Sequence, residues 1–283
     1  MSVQPAPPLL QQLTDATLRI REDIVHMCAR SDGGHLGGAM SLVEILTSLY
    51  LTVMRADPTD PEWPDRDILI LSKGHGAIGL YATLAEAGYF PRDWLERYGD
   101  PGTFLTAHPH PSIPGVEMPT GSLGHGLALG IGFALGHRLR GHEDRRCYVI
   151  LGDGELQEGS VWEAASVAAS QGLENLIAIV DRNRLQISGP TDQIASLEPL
   201  TERWSAFGWN VRTIDGHDLN LLPHALGPTP DSGRPTVWIA DTVKGHGVPE
   251  IAGDPRSHFA RLGEHQHRRT LASVRRAHRT VKQ

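Results

Sequence analysis

The sequence predicts an α/β fold in which a parallel β-sheet carries helices on both faces. Five short apolar or β-branched runs, "DILILS" (67–72), "CYVILG" (147–152), "LIAIVD" (176–181), "WNVRTID" (209–215) and "TVWIAD" (236–241), supply the strands. Helical patterns at 77–87, 122–140, 158–171 and 199–207 are interspersed with them. Strands buried on both faces and alternating with helices are the mark of a parallel sheet covered on each side. The chain has 283 residues, 40% hydrophobic and 21% charged, which is enough for one large core. Residues 1–283 are therefore expected to form a single domain.

In chain order, the Pro-rich "QPAPPLL" reads as a short leader, residues 1–8. Apolar residues recur at helical spacing from Leu9 to Arg30, through Leu13, Leu18, Ile20, Ile24, Val25 and Met27, and the helix stops at "SDGGHLGG". A second helix is predicted from Ser41, as N-cap, through "SLVEILTSLYLTVM". The segment "TGSLGHGLALGIGFALG" holds glycines at 121, 124, 126, 130, 132 and 136, each of which lowers helix propensity. Close approach of another backbone would compensate, so a tightly packed, buried helix is expected. A membrane helix is the rival, but the apolar run is too short to span and His125 precedes it. Residues 262–283, with "HQHRRTLASVRRAHRTVKQ", are expected to be a basic helix or a solvated, frayed tail.

The formal net charge is −7, and basic residues cluster only near the C-terminus. No broad face for nucleic acid is indicated. The start lacks a basic region followed by an apolar core, and no segment has the length of a membrane span, so a cytoplasmic protein is expected. Cys28 and Cys147 each sit in an apolar periodic segment, as buried thiols in a reducing compartment would.

The stretch most suggestive of chemistry runs from Leu151 to Gly189, "LGDGELQEGSVWEAASVAASQGLENLIAIVDRNRLQISG". Gly152, Asp153 and Gly154 close an apolar strand, which sets a carboxylate at the sheet edge between two glycines that let backbone amides approach phosphate oxygens. Asn183 follows the next strand. Consecutive strands can be neighbours in a parallel sheet, and ligands of such sheets sit beyond the carboxyl ends of the strands. "SKGHG", "GDGELQEG" and "DRNRLQ" all fall there. A magnesium ion takes roughly six oxygens and commonly shares them with phosphates. Asp153 and Asn183 could hold a magnesium diphosphate, whereas a lone Gly-Asp-Gly is most often only a turn.

This Gly-Asp-Gly, followed by Asn after a helix and a strand, resembles the thiamine-diphosphate signature, and "GDGELQEG" resembles transketolases. "GGHLGGAMSLVEILTSLY", "ILSKGHGAIGLYATLAEAGYF", "HPHPSIPGVEMPTGSLGHGLALGIGFALG" and "VKGHGV" with a later His resemble further family motifs in the same order. The resemblance covers roughly residues 10–265. The chain is less than half the length of a full transketolase and resembles the N-terminal, diphosphate-binding subunit of a split one.

The resemblance implies thiamine diphosphate and Mg2+ as cofactors. Asp153, Asn183 and the carbonyl of Leu185 would complete the metal site, and Gly154 and Glu155 would offer amides to the diphosphate. His75 resembles the histidine that contacts the diphosphate. His35 and His108 resemble those that meet the hydroxyls of a bound ketose, a task suited to imidazole. The bland reading of each is a loop histidine. His110 is taken as structural or exposed. Gly121, Ser122 and Leu123 match the loop that lines the thiazolium and aminopyrimidine. Glu158 matches an acidic residue at the subunit interface, or else serves a helix N-terminus. His258, in "DPRSHFARL", is the candidate for the family's late histidine, with His246 as competitor.

Two positions depart from the family pattern: Leu36 stands where sugar transketolases usually have Pro, as in deoxyxylulose-phosphate synthases, and His125 stands where Gln is usual. Both bear on the donor and acceptor. In the family, the glutamate that activates the cofactor and the residues that grip the sugar phosphate come from the next domain. The implied enzyme is thus a ketol transferase working with a C-terminal partner subunit, in an α2β2 assembly, on a sugar or sugar phosphate. A subunit of a 2-oxo acid decarboxylating or deoxyxylulose-phosphate-synthase-like enzyme, and a non-catalytic cofactor-binding regulator, remain as alternatives.

Overall fold

The computed structural model describes residues 7–30, 33–227 and 233–281. Most of the expected leader lies outside these. Pro7 and Pro8 open the first helix, α1 (Pro7–Cys28), where a fixed φ and a missing amide cost nothing.

Ser41 does not begin a helix as its local pattern suggests. It follows α2 (Leu36–Met40), and its hydroxyl donates to the Asp181 carboxylate at 2.7 Å. A tertiary partner 140 residues away turns the hydroxyl toward itself and away from the capping position. The expected second helix is divided into α3 (Val43–Ser48) and a π-helical turn, Leu49–Val53.

The remaining helices are α4 (Ala77–Ala87), α5 (Gly126–Leu139), α6 (Gly159–Ser170), α7 (Thr191–Ala195), α8 (Leu200–Ala206), α9 (Leu222–Ala225) and α10 (Glu264–Val281). The strands are β1 (Ile68–Leu71), β2 (Cys147–Gly152), β3 (Leu176–Arg182), the two-residue β4 (Leu185–Gln186) and β5 (Gly189–Pro190), β6 (Asn210–Asp215) and β7 (Thr236–Asp241). The main sheet is parallel throughout, in the order β1-β2-β3-β7-β6. β4 and β5 form a separate small hairpin.

Alternate residues of each central strand serve two cores. Tyr148, Ile150, Ile177 and Ile179 face the side covered by α1 to α4, while Cys147, Val149, Leu176 and Ala178 face α5, α6 and α8. Both faces are buried, which is why these strands show no polar alternation. Cys28 and Cys147 are buried free thiols. Among the described residues no helix is long and apolar enough to cross a membrane.

The glycine-rich helix is packed on one side only. A Cβ at Gly130 would lie 2.4 Å from Val149, and one at Gly126 would meet Ser72, so both let the helix settle on the sheet. Gly132 and Gly136 meet nothing within 4 Å. The expected burial therefore holds for half of the stripe, and Gly121 to His125 form a loop before the helix starts. At the C-terminus α10 is docked rather than frayed: Val274 is buried in the core, and Arg275 reaches Glu22 of α1 at 2.6 Å.

Candidate active site

β2 and β3 are neighbours, with Gly152 opposite Asp181. Asp153 and Asn183 follow at the carboxyl ends of these strands. The Asp153 carboxylate accepts the amides of Gly154 at 2.8 Å and Arg184 at 2.5 Å, tying the two strand ends together. Arg184 is left-handed, with φ +62°, and its guanidinium is held by Asp241 at 2.6 Å. That turn brings round Leu185, whose amide donates to the Asn183 side-chain oxygen at 3.1 Å. The Leu185 carbonyl accepts from Lys244 Nζ at 3.3 Å. A Cβ on Gly154 would come within 2.7 Å of Gln186, so the turn admits only glycine without rearrangement.

Asp153, Asn183 and Leu185 line one cavity of about 430 Å³, together with His35, His75, His258, Gly121, Leu123, Glu158 and the lysines Lys73 and Lys244. The sequence reading missed both lysines. Each lies two or three positions beyond a strand end, in "SKGHG" and "VKGHG", and that placement was the available signal.

Beneath the cavity lies a sealed polar network. Asp181 is fully buried and accepts from Ser41, Thr242, Asn183 and Lys73, the last at 2.5 Å. Burial pushes its carboxyl up, but the Lys73 charge and these donors hold it below the usual range. Asp153 is pushed up to about 6, by burial first and then by the nearby Asp181 charge. Lys244 is brought down to about 8, by burial first and then by Lys73. The cavity thus joins a hard oxygen donor set, carboxylate, amide and carbonyl, to two ammonium groups. Such a set fits a magnesium ion beside a polyanion.

Glu155 was expected to offer a backbone amide, yet its carboxylate is the busier group. Buried, it accepts from Ser72 and from the amides of Gly124 at 2.9 Å and Gly152 at 3.0 Å. It clamps the loop before α5 onto the ends of β1 and β2. In that loop Gly121 has φ +153°, and a Cβ there would lie 2.8 Å from the His108 ring. Ser122 is exposed, and His125 is exposed with Nδ1 3.1 Å from the Leu123 carbonyl. Glu158 is the N-cap residue of α6 but makes no side-chain capping bond. Leu36 is buried at the start of α2.

The four candidate histidines converge. The His35 ring lies 5.2 Å from His75, 5.2 Å from His258 and 6.3 Å from His108. Burial is the first cause that lowers His35 to about 4, His75 to about 2 and His258 to about 4, with neighbouring lysines and histidines adding to it. These three rings are neutral at pH 7 and can donate or accept a hydrogen bond. His258 Nδ1 lies 3.1 Å from Lys244 Nζ, and His108 is fixed through its carbonyl, which accepts from the buried Tyr81 hydroxyl at 2.7 Å.

His246 lies outside this group, stacked on His217 at 3.6 Å. With Glu44 these two bring three ligand-type atoms within 4.8 Å of one another. Their bonding argues for a structural role: His217 Nε2 accepts the Val243 amide at 2.9 Å, so Nδ1 carries the proton to Glu44, whose other oxygen is taken by Arg21. His110 is exposed and stacks on Phe104.

The transketolase thiamine diphosphate binding domain family matches residues 12–276. One of the subunits of the apulose-4-phosphate transketolase of Actinobacillus succinogenes is 48% identical over 241 residues, covering 84% of this chain and 87% of its own length. The 6-deoxy-6-sulfo-D-fructose transketolase subunit SqwG of a Clostridium species is 42% identical over 243 residues, covering 85% and 88%. Among solved structures, the transketolase of Campylobacter jejuni superposes with a TM-score of 0.83 at 31% identity, over 98% of this chain and 47% of that one. The chain thus spans less than half the length of that solved transketolase and 40% of human transketolase-like protein 2. By fold, family match and relatives over nearly its full length, the chain belongs to the transketolase family and corresponds to its thiamine-diphosphate-binding domain.

Proposed function

We propose that the chain is the diphosphate-binding subunit of a ketol transferase, active with a partner subunit that supplies the rest of the site. The observation that carries this reading is the cavity in which Asp153, Asn183 and the Leu185 carbonyl meet Lys73, Lys244 and three neutral histidines. Asp153, Asn183 and Leu185 would hold Mg2+. Lys244 would offset part of the charge of a diphosphate, above the Lys73–Asp181 pair, and Gly152 and Gly154 leave room for it close to the backbone. Bound thiamine diphosphate supplies the electron sink for breaking the bond next to a ketose carbonyl. The loop of Gly121, Ser122 and Leu123 would wall the cofactor's rings, with Gly121 seated against His108. His75 and His258 would face the diphosphate end, while His35 and His108 would orient substrate hydroxyls. Glu158, at the rim, would meet the neighbouring subunit in an α2β2 assembly.

Relatives named for apulose 4-phosphate and 6-deoxy-6-sulfo-D-fructose support an anionic sugar as substrate, and an aldehyde would be the acceptor. The two buried free thiols support a cytoplasmic setting. The test is a steady-state assay of the chain reconstituted with its partner, on ketose-phosphate donors and aldehyde acceptors with magnesium and thiamine diphosphate. Transfer of a two-carbon unit is expected. Absence of turnover with every pair, or release of carbon dioxide from pyruvate instead, would overturn the reading.

A further inference from the structure

His35 occupies the middle of the ring cluster, yet among the described residues no hydrogen bond holds its imidazole. Its orientation depends on ring packing alone. Two consecutive residues supply edge-on contacts: His258 at 5.2 Å and 87°, and Phe259 at 5.2 Å and 84°. Phe259 is itself 48% exposed, so its ring meets His35 with part of its surface open to solvent.

The backbone explains how the two rings are kept together. Gly34 and Ala260 form an isolated antiparallel bridge, with amide-to-carbonyl distances of 2.9 and 2.8 Å. In such a pair the next residues, His35 and Phe259, stand opposite each other as cross-strand neighbours. Gly33 makes the bridge possible, because a Cβ there would lie 2.5 Å from the Ala260 carbonyl and its φ is +70°. On the other flank a Cβ at Gly37 would strike Ser257, so the 254–260 segment rests directly on the start of α2.

We infer that Phe259 is a positioning residue: held opposite His35 by the Gly34–Ala260 bridge, its ring fixes the imidazole at the cavity edge to bond the hydroxyls of a polyhydroxylated substrate. This rests on the ketol-transfer reading above. The ring also keeps water from one side of His35. The other groups facing that imidazole are His75 from the turn after β1, His108 from the loop above it, His258, and the charges of Lys244 and Lys73. Burial is the first cause of His35 staying neutral down to about pH 4, so loss of Phe259 exposes and frees the same ring.

The test compares Phe259→Ala with Phe259→Tyr, which keeps the ring. In the isolated chain, an NMR titration of the imidazole resonances should show the His35 midpoint rising toward the ordinary value of about 6.5 in Phe259→Ala and staying low in Phe259→Tyr. In the reconstituted enzyme, Phe259→Ala should raise the donor KM about tenfold with kcat and thiamine diphosphate affinity little changed. Phe259→Tyr should restore KM. Should Phe259→Ala lose its cooperative unfolding transition, Phe259→Leu, which keeps apolar bulk without a ring, is read in its place and should show the same rise in KM. An unchanged His35 titration and KM in the variant lacking the ring, or equal losses in that variant and Phe259→Tyr, would overturn the inference. A wild-type pair that transfers no ketol unit would instead sink the functional reading, while the titration still decides the His35–Phe259 contact.

Discussion

The Lys73 ammonium lies 2.5 Å from the Asp181 carboxylate, and both side chains are sealed from water at 2% and 0% exposure. The pair joins the turn after β1 to the end of β3, directly under the cavity. Removing one member leaves a buried charge alone. Lys73→Met should lower unfolding stability by about 3–5 kcal/mol, and Lys73→Met combined with Asp181→Asn should recover most of the loss. Urea unfolding with constant slope would measure it, and equal damage in the single and double variants would count against the pairing.

Acid should weaken the fold through its buried histidines, with the Asp153 carboxyl, pushed up to about 6, opposing part of the loss. His35, His258 and His246 are lowered to about 4, chiefly by burial, whereas the unfolded chain protonates its imidazoles near about 6.5. The folded state therefore binds fewer protons. The stability is fully present above about pH 6.5 and is lost as pH falls toward about 4. Glu44 adds a second loss below its ordinary range: despite opposing burial, Arg21 and His217 hold its carboxyl down to about 2. Urea midpoints taken between pH 7 and 4 would show the decline, with a shallower slope in His246→Asn.

Two glycine substitutions should have opposite signs. Gly121→Ala drives a Cβ to 2.8 Å from His108 at a φ that disfavours side chains, so cofactor affinity should fall about tenfold or more. Gly132→Ala points into open space on a helix and should raise stability by about 0.5–1 kcal/mol. Titration of thiamine diphosphate and thermal unfolding would read the two effects. A destabilising Gly132→Ala in the isolated chain would contradict the open face.

Tyr81→Phe removes the buried hydroxyl that donates to the His108 carbonyl at 2.7 Å, leaving that oxygen the Thr106 hydroxyl at 3.1 Å. The expected loss is about 0.5–1.5 kcal/mol of stability and a raised donor KM in the reconstituted pair. Cofactor affinity should not change. A fall in cofactor affinity with unaltered KM would place the effect elsewhere.

The sheet was legible because β1, β2, β3 and β7 are buried on both faces and so lack polar alternation, a property each strand carries locally. Asp153 and Asn183 were legible for a related reason: strand ends in a parallel sheet are also its ligand edge. Ser41 was misread because its capping pattern is local while its partner, Asp181, is 140 residues away. Lys73 and Asp181, 108 residues apart, escaped notice on the same ground. Phe259 carried no signal of its own, since only the Gly34–Ala260 bridge gives it a role. The open side of α5 was hidden as well, because glycine spacing does not tell which turn of a helix faces the sheet.

The most direct test of the account is calorimetric titration of thiamine diphosphate into the reconstituted pair, with and without magnesium, for the wild type and Asp153→Ala. Binding of one cofactor per copy of this chain, dependent on magnesium and weakened about 100-fold or more by Asp153→Ala, is the predicted result. Binding of equal strength without magnesium and in Asp153→Ala would contradict the assignment of this cavity.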